Sequence, residues 1–133
     1  MVPNIKNVEK KSIIEISKEM KRIIKYGMQN QLLPHDVLHG TFTLSNIGSI
    51  GGTYAMPIIM PPQLCIGAIG KISEKLKLND IKDKSISQVY SASYLNISWS
   101  ADHRVIDGAT MTKFSNLWKK YIEHPLLMLK IAK

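Results

Sequence analysis

Ser98-Trp99-Ser100-Ala101-Asp102-His103-Arg104-Val105-Ile106-Asp107-Gly108 is the stretch on which the fold turns. Before it, Tyr90 to Ser100 reads as a strand, with Leu95, Ile97 and Trp99 on one face. After it, Met111, Phe114, Leu117, Trp118, Tyr121 and Ile122 recur at helical spacing and predict a helix from about Ala109 to Glu123. A strand that runs straight into an amphipathic helix is a building unit of layered folds. The junction also carries chemistry. A neutral imidazole near pH 7 can take a proton from a thiol or hydroxyl and return it, so His103 is a candidate general base. Asp102 at i−1 and Asp107 at i+4 can each orient the ring or stabilise its charged form. Gly108 lets the chain turn tightly into the helix, whose first N–H groups Asp107 can cap. A capping Asp beside a structurally bonded His accounts for the same spacing.

Upstream, Thr41-Phe42-Thr43-Leu44-Ser45 alternates and reads as a strand. It enters Asn46-Ile47-Gly48-Ser49-Ile50-Gly51-Gly52-Thr53, a loop with unusual backbone freedom. A hydroxyl at a strand end beside exposed N–H groups is what an oxyanion or phosphate site requires, although a simple hairpin connection fits too. Cys65 to Ile72 reads as a buried strand, with Gly67 and Gly70 allowing close backbone approach. Ser73 to Lys84 is Lys- and Asp-rich and predicts an exposed excursion.

The amino-terminal part is helical. Ser12 and Glu15 form a capping box, and Ile13, Ile16, Met20, Ile23, Ile24 and Gly27 follow a 3.6-residue period. A helix is expected over Ser12 to Met28, packed on a sheet. Val2 to Val8 is expected to be extended, and Gln29 to Gly40 to be a loop. His35 and His39 in that loop lack Cys or carboxylate partners at metal-binding spacing, so no metal site is expected. His124-Pro125 should end the second helix, and Leu126-Leu127-Met128-Leu129 needs a surface to dock on. Helix, several strands, then helix predicts an α/β or α+β sandwich with helices on the sheet.

Composition sets bounds on these readings. A chain of 133 residues with 44% hydrophobic and 21% charged residues is sized for one domain with a real core. No run reaches the ~18–20 apolar residues of a membrane span, and Met56 to Ile72 is cut by Pro57, Pro61, Pro62, Gly67 and Gly70. The amino terminus has neither a secretory apolar core nor an Arg/Ser-rich transit pattern. The single cysteine, Cys65, suits a reducing compartment and a packed thiol. The net charge of +8 is almost all Lys, with Arg only at 22 and 104. Such a balance favours anionic partners; spread along the chain it reads mostly as a solvated surface, with a phosphate-bearing ligand as the sharper alternative. It lacks the aromatic interleaving and Arg forks of a nucleic-acid surface, so neither nucleic acid nor membrane is expected as a partner.

Ser100-Ala101-Asp102-His103-Arg104-Val105-Ile106-Asp107-Gly108 resembles the His-x-x-x-Asp-Gly signature of the 2-oxo acid dehydrogenase acyltransferase components. Gly40 to Ala55 resembles their Ser-bearing strand and loop, and Pro57-Ile58-Ile59-Met60-Pro61-Pro62 and Phe114-Ser115-Asn116-Leu117-Trp118-Lys119 fit as well. Val2-Pro3-Asn4-Ile5-Lys6-Asn7-Val8 and the two long motifs are most similar to the branched-chain dihydrolipoyl transacylases.

The resemblance implies reversible acyl transfer between dihydrolipoamide and coenzyme A in an α/β, chloramphenicol-acetyltransferase-like sandwich, a mixed sheet with flanking helices. By position, His103 would be the general base, Ser45 the oxyanion donor, and Asp107 a support for the site. Asn46, Gly70 and Ile72 would contact coenzyme A. The implied partners are a lipoyl domain and other components of the dehydrogenase complex. The implied assembly is a homotrimer, the building block of a larger core, in which His and Ser meet across the subunit interface. The implied location is the mitochondrial matrix in a eukaryote and otherwise the cytoplasm. Residues 1–133 match the carboxy-terminal portion of the catalytic domain, with no lipoyl or peripheral-subunit-binding domain, and the lipoyl group would ride on the former. Ile24 stands where similar members carry a polar ligand-contacting residue, and His39 where they carry Gly. A non-catalytic assembly fragment and a small-molecule acetyltransferase of the chloramphenicol type are the alternatives.

Overall fold

Ser12 starts the first helix, α1 (Ile13–Met28), in a computed structural model that describes residues 2–78 and 89–129. The Ser12 Oγ accepts the Glu15 N–H at 3.3 Å, and the Glu15 carboxylate accepts the Ser12 N–H at 2.7 Å, the reciprocal capping expected from the sequence. The chain divides into two units, Met1–Phe42 with His103–Lys133, and Thr43–Asp102.

The first unit is helical. Of the α1 stripe only Ile23 is buried, at 7% exposure, and Ile24 remains 55% exposed. The segment expected to be a plain loop, Gln29 to Gly40, contains one helical turn, α2 (Pro34–Val37). Pro34 presets the first helical φ, and the Asp36 carboxylate accepts the Leu33 N–H at 3.0 Å. Asp36 is 2% exposed and takes a guanidinium bond of 2.5 Å from Arg22, which also reaches Glu19 at 2.6 Å. His35 Nε2 lies 3.1 Å from the same carboxylate. Arg22 holds both Asp36 and Glu19 below the usual carboxylate range. The extended start of the chain is tied to this turn. The Asn4 N–H donates to the Asp36 carbonyl, its Nδ2 donates to Val37 and Leu38, and the Lys6 ammonium also reaches Leu38. His39 follows with φ 58°, in the left-handed region that favours glycine.

The last helices are α3 (Gly108–Glu123) and α4 (Leu126–Leu129). The former ends at His124 as the following proline predicts, the His124 N–H donating to the Lys120 carbonyl at 3.0 Å. Phe42 and Phe114 pair with centroids 5.9 Å apart at 55°.

The second unit holds a mixed sheet of β1 (Thr43–Asn46), β2 (Cys65–Ile69) and β5 (Ile97–Ala101), in the order β1-β2-β5. Central β2 runs parallel to β1 and antiparallel to β5. Cys65, Ile66, Gly67 and Ala68 are buried in succession, the pattern of a strand covered on both faces. The register aligns Ser45, Ala68 and Ser98 in one row and Leu44, Gly67 and Trp99 in the next, on the opposite face. A Cβ at position 67 would overlap the Trp99 ring, so glycine there lets the indole lie across the central strand.

Strand bounds in this unit differ from those expected. Tyr90 to Ser100 is not one strand: β4 (Val89–Tyr94) and β5 belong to different sheets, with the break at Leu95–Asn96. The Asn96 carbonyl accepts the Gly70 N–H at 2.8 Å, which fixes the switch point and also ends β2 at Ile69, short of the expected Ile72. Ile97 and Trp99 share a face as expected, without Leu95. The excursion expected over Ser73 to Lys84 begins with a regular element the sequence reading did not name, β3 (Ser73–Leu78), paired antiparallel with β4 in a register that local composition does not encode. It is exposed, as expected. Residues 79–84 of that stretch lie outside the described residues.

Candidate functional site

From Ser98 to Gly108 the chain passes from a strand end through a turn into a capped helix. The Asp102 N–H extends the edge of β5 by donating to the Leu64 carbonyl at 2.8 Å, and His103, Arg104 and Val105 form the turn that follows. Asp107 has extended backbone (φ −78°, ψ 165°) and is the N-cap of α3, its carboxylate accepting the Thr110 N–H at 2.7 Å. An Asp placed here satisfies a helix-start donor and meets the positive end of the helix dipole. Bonding to the Thr110 side chain and N–H holds Asp107 below the usual carboxylate range; burial opposes this, and the charge of His103 adds a lesser lowering. Both His103 and Asp107 are exposed.

Ser45 is half-buried near the end of β1, and the loop that follows is fastened at both ends. On the departing limb the Ile47 N–H donates to Ile69 at 3.0 Å, and the Asn46 side chain accepts the Ser49 N–H at 3.2 Å. A single 3-10 turn, Gly48–Ile50, follows. On the returning limb the Lys71 N–H donates to Gly52 at 2.7 Å and the Ala55 N–H to the Ser98 hydroxyl at 3.4 Å. Gly70 is buried, and a Cβ there would strike the Thr53 carbonyl. Ile72 is 66% exposed and Asn46 is exposed.

Of the residues singled out in the sequence, His103 and Asp107 therefore belong to the first unit, and Ser45, Asn46, Gly70 and Ile72 to the second. The Ser98 contact has no sequence signal, because its partner is 43 positions away. Nor does sequence predict the Arg22–Asp36 pair, 14 positions apart. Cys65 is buried, and burial pushes its thiol up, as for a packed rather than a reactive cysteine. Ile24 lines a shallow depression of about 540 Å³ with Lys21, Lys25, Met28 and Gln29. Among the described residues no cluster of three metal-ligating side chains occurs, and no helix is long and apolar enough to cross a membrane.

The family model of the 2-oxoacid dehydrogenases acyltransferase (catalytic domain) matches residues 1–130. Among similar curated proteins is the mouse lipoamide acyltransferase component of the mitochondrial branched-chain alpha-keto acid dehydrogenase complex. It is 55% identical over 129 residues, covering 97% of this chain and 26% of the relative. The Rickettsia felis dihydrolipoyllysine-residue acetyltransferase component of the pyruvate dehydrogenase complex is 40% identical, covering 97% and 30%. The chain thus spans about a quarter of the length of such relatives. Among solved structures, Azotobacter vinelandii dihydrolipoamide acetyltransferase superposes with a TM-score of 0.81 at 29% identity, covering 97% of this chain and 51% of that one. A probable dihydrolipoamide acetyltransferase from Listeria monocytogenes gives 0.81 at 32%, covering 100% and 52%. The Azotobacter mechanism has been investigated at a serine, a histidine and an asparagine, the last two standing four positions apart, as His103 and Asp107 do here. The mixed α/β architecture is that of these catalytic cores. Matched over nearly its whole length by the family's own model, this chain belongs to the 2-oxoacid dehydrogenase acyltransferase (catalytic domain) family.

Proposed function

We propose that the whole protein transfers an acyl group, branched-chain by preference, between dihydrolipoamide and coenzyme A in a 2-oxo acid dehydrogenase complex. This chain would be the carboxy-terminal portion of its catalytic domain. The observation that carries the reading is His103 on a strand-to-helix turn together with Ser45 at the head of an anchored loop, in a chain 55% identical to a branched-chain acyltransferase component.

His103 takes the proton of the attacking thiol, and the resulting thiolate adds to the thioester carbonyl. The carbonyl oxygen gains negative charge, and the Ser45 hydroxyl donates a hydrogen bond to it. Collapse breaks the original C–S bond, and His103 returns its proton to the departing thiolate. Atoms and charge balance without a metal. Asp107 fixes the first turn of α3, immediately after the turn that carries the base.

Coenzyme A would lie against Asn46, Gly70 and Ile72. Exposed Ile72 offers apolar surface to a pantetheine arm. The Asn46 carboxamide oxygen is engaged by Ser49, which leaves its amide to donate. Gly70, with its N–H engaged and its α-carbon closed off, contributes by keeping the backbone thin. The Lys-rich balance suits the phosphates of the ligand.

The partners would be a lipoyl domain carrying the lipoyl group and the other components of the complex. A homotrimer would bring His103 of one copy to Ser45 of the next. In a eukaryote the location would be the mitochondrial matrix, and in a bacterium the cytoplasm. A second reading, an assembly piece without catalysis, draws on the exposed alternating side chains of Tyr54, Met56 and Ile58.

The test is acyl transfer from isobutyryl-CoA and acetyl-CoA to dihydrolipoamide by the whole protein. Faster transfer of the branched acyl group is expected. Assembled particles that transfer neither group would overturn the catalytic reading in favour of the assembly one.

A further inference from the structure

We propose that Gln63 is a positioning residue for Ser45, fixing through Thr43 the face of the sheet to which the Ser45 hydroxyl points, a role that rests on Ser45 being the oxyanion donor. The Thr43 hydroxyl donates to the side-chain carbonyl of Gln63 at 2.5 Å, across 20 positions of sequence. Thr43 and Ser45 lie two residues apart on β1, so their side chains share one face. Whatever decides the face of Thr43 decides that of Ser45.

The burial of β1 is the reverse of its polarity. Thr43 is buried, at 9% exposure, whereas Leu44, the one large apolar side chain of the strand, is 52% exposed. In most strands the apolar set fixes which face turns inward, and a shift of one residue exchanges the two faces. Here that preference runs the wrong way. Thr43 pairs with Ile66 and Ser45 with Ala68, both buried, so the row they occupy is the one an apolar side chain would seek. Hydrophobic burial alone would turn Leu44 into it and carry Ser45 to the opposite face.

The backbone does not supply the missing preference. β1 is four residues long and stands at the edge of the order β1-β2-β5, and its ladder bonds to β2 are indifferent to which side chain occupies a rung. The Thr43–Gln63 bond is not indifferent. A buried hydroxyl without a partner is costly, and Gln63 supplies that partner only when Thr43 faces inward. Gln63 is itself half-buried, its N–H donating to the Met60 carbonyl at 2.9 Å, and it stands two residues before β2, the strand against which β1 is registered.

Without the carboxamide, the two seatings of β1 draw together in free energy, and the fraction of molecules with Ser45 on the productive face falls. A donor on the wrong face gives an oxyanion nothing. The loss is of a transition-state contact, so it falls more on kcat than on KM.

The experiment measures kcat and KM of the whole protein for Gln63→Met, Thr43→Val, Ser45→Ala and their combinations. Gln63→Met is expected to lower kcat by about threefold to tenfold, the range for one hydrogen bond, with KM for the acyl-CoA changed less. Adding Thr43→Val should restore kcat to within about twofold, because valine seeks the buried row unaided and leaves no hydroxyl unpartnered. In the Ser45→Ala background Gln63→Met should cost nothing further. If Gln63→Met folds poorly, Thr43→Ser and Thr43→Ala serve in its place. Ser keeps the hydroxyl and should keep kcat, and Ala should lose both.

Full kcat in Gln63→Met with only a lower melting temperature would make the bond structural and overturn the positioning role. So would an equal loss with and without Ser45, or a Thr43→Val combination no better than Gln63→Met alone. Full kcat of Ser45→Ala, a result distinct from these, would remove Ser45 from the mechanism and the proposal with it.

Discussion

Around Ser45 the backbone is bonded on both limbs of its loop, to Ile69 at 3.0 Å on departure and to Lys71 at 2.7 Å on return, and Gly70 is closed against Thr53. Around His103 there is a three-residue turn and then a helix whose first side-chain support is the Asp107 carboxylate on Thr110. One region is a half-buried sheet edge, the other an exposed helix start. The difference matches what each group would have to do. An oxyanion donor acts only if it waits at the position where charge will develop, so its value depends on rigidity. A base must reach a thiol, accept a proton and release it again, which calls for access.

The largest expected effects come from removing the two groups themselves. His103→Ala should lower kcat by about 10²–10⁴-fold with the melting temperature little changed, because the side chain is exposed. Normal turnover would break the comparison at its base end. Ser45→Ala should cost somewhat less, about 10²–10³-fold, again in kcat. Steady-state transfer by the assembled protein reads both, and a KM effect larger than the kcat effect in Ser45→Ala would recast that residue as a binding contact.

Gly70→Ala sharpens the comparison by attacking rigidity alone. The added methyl must displace the Thr53 carbonyl, which is backbone and cannot rotate aside. A coupled loss is expected: a lower melting temperature by differential scanning calorimetry, and lower kcat with His103 intact. A variant that loses stability but keeps full kcat would show that the loop tolerates movement.

The legible part of this molecule was the part written in local pattern. Ser12 and Glu15 announce α1, Asp107-Gly108 announces α3, and the buried strand read over Cys65 to Ile72 is present over Cys65–Ile69, where each residue is small or apolar. What local pattern could not supply was partnership across the chain. The alternation of Tyr90 to Ser100 continues through Leu95–Asn96, yet the chain changes sheets there because the Asn96 carbonyl pairs with Gly70. The exposure of Ser73 to Leu78 is legible in its composition, but its pairing with β4 is not. The candidate site divides along the same line. His103 and Asp107 sit four apart and are visible as a pair, whereas the Ser98 hydroxyl on Ala55 depends on register.

The smallest predicted effect tests whether the base region is more than a capped helix. Asn caps a helix start nearly as well as Asp, and Ala does not. Asp107→Ala should therefore lower the melting temperature by a few degrees, and Asp107→Asn should barely move it near neutral pH. The two differ from the native protein in acid. Asp107 is held below its ordinary value of 3.8 by Thr110 and by the charge of His103, so it binds a proton less readily in the folded chain than in the unfolded one. Its contribution is then fully present above that ordinary value and is lost as pH falls through the lower folded one. Melting curves from neutral pH down through that range should show the native protein losing stability relative to Asp107→Asn, whose amide does not titrate. Parallel curves for the two proteins would mean that the carboxylate is no better bonded folded than unfolded. Asp107 would then be a bystander at the helix start, and the support for His103 would have to come from another group.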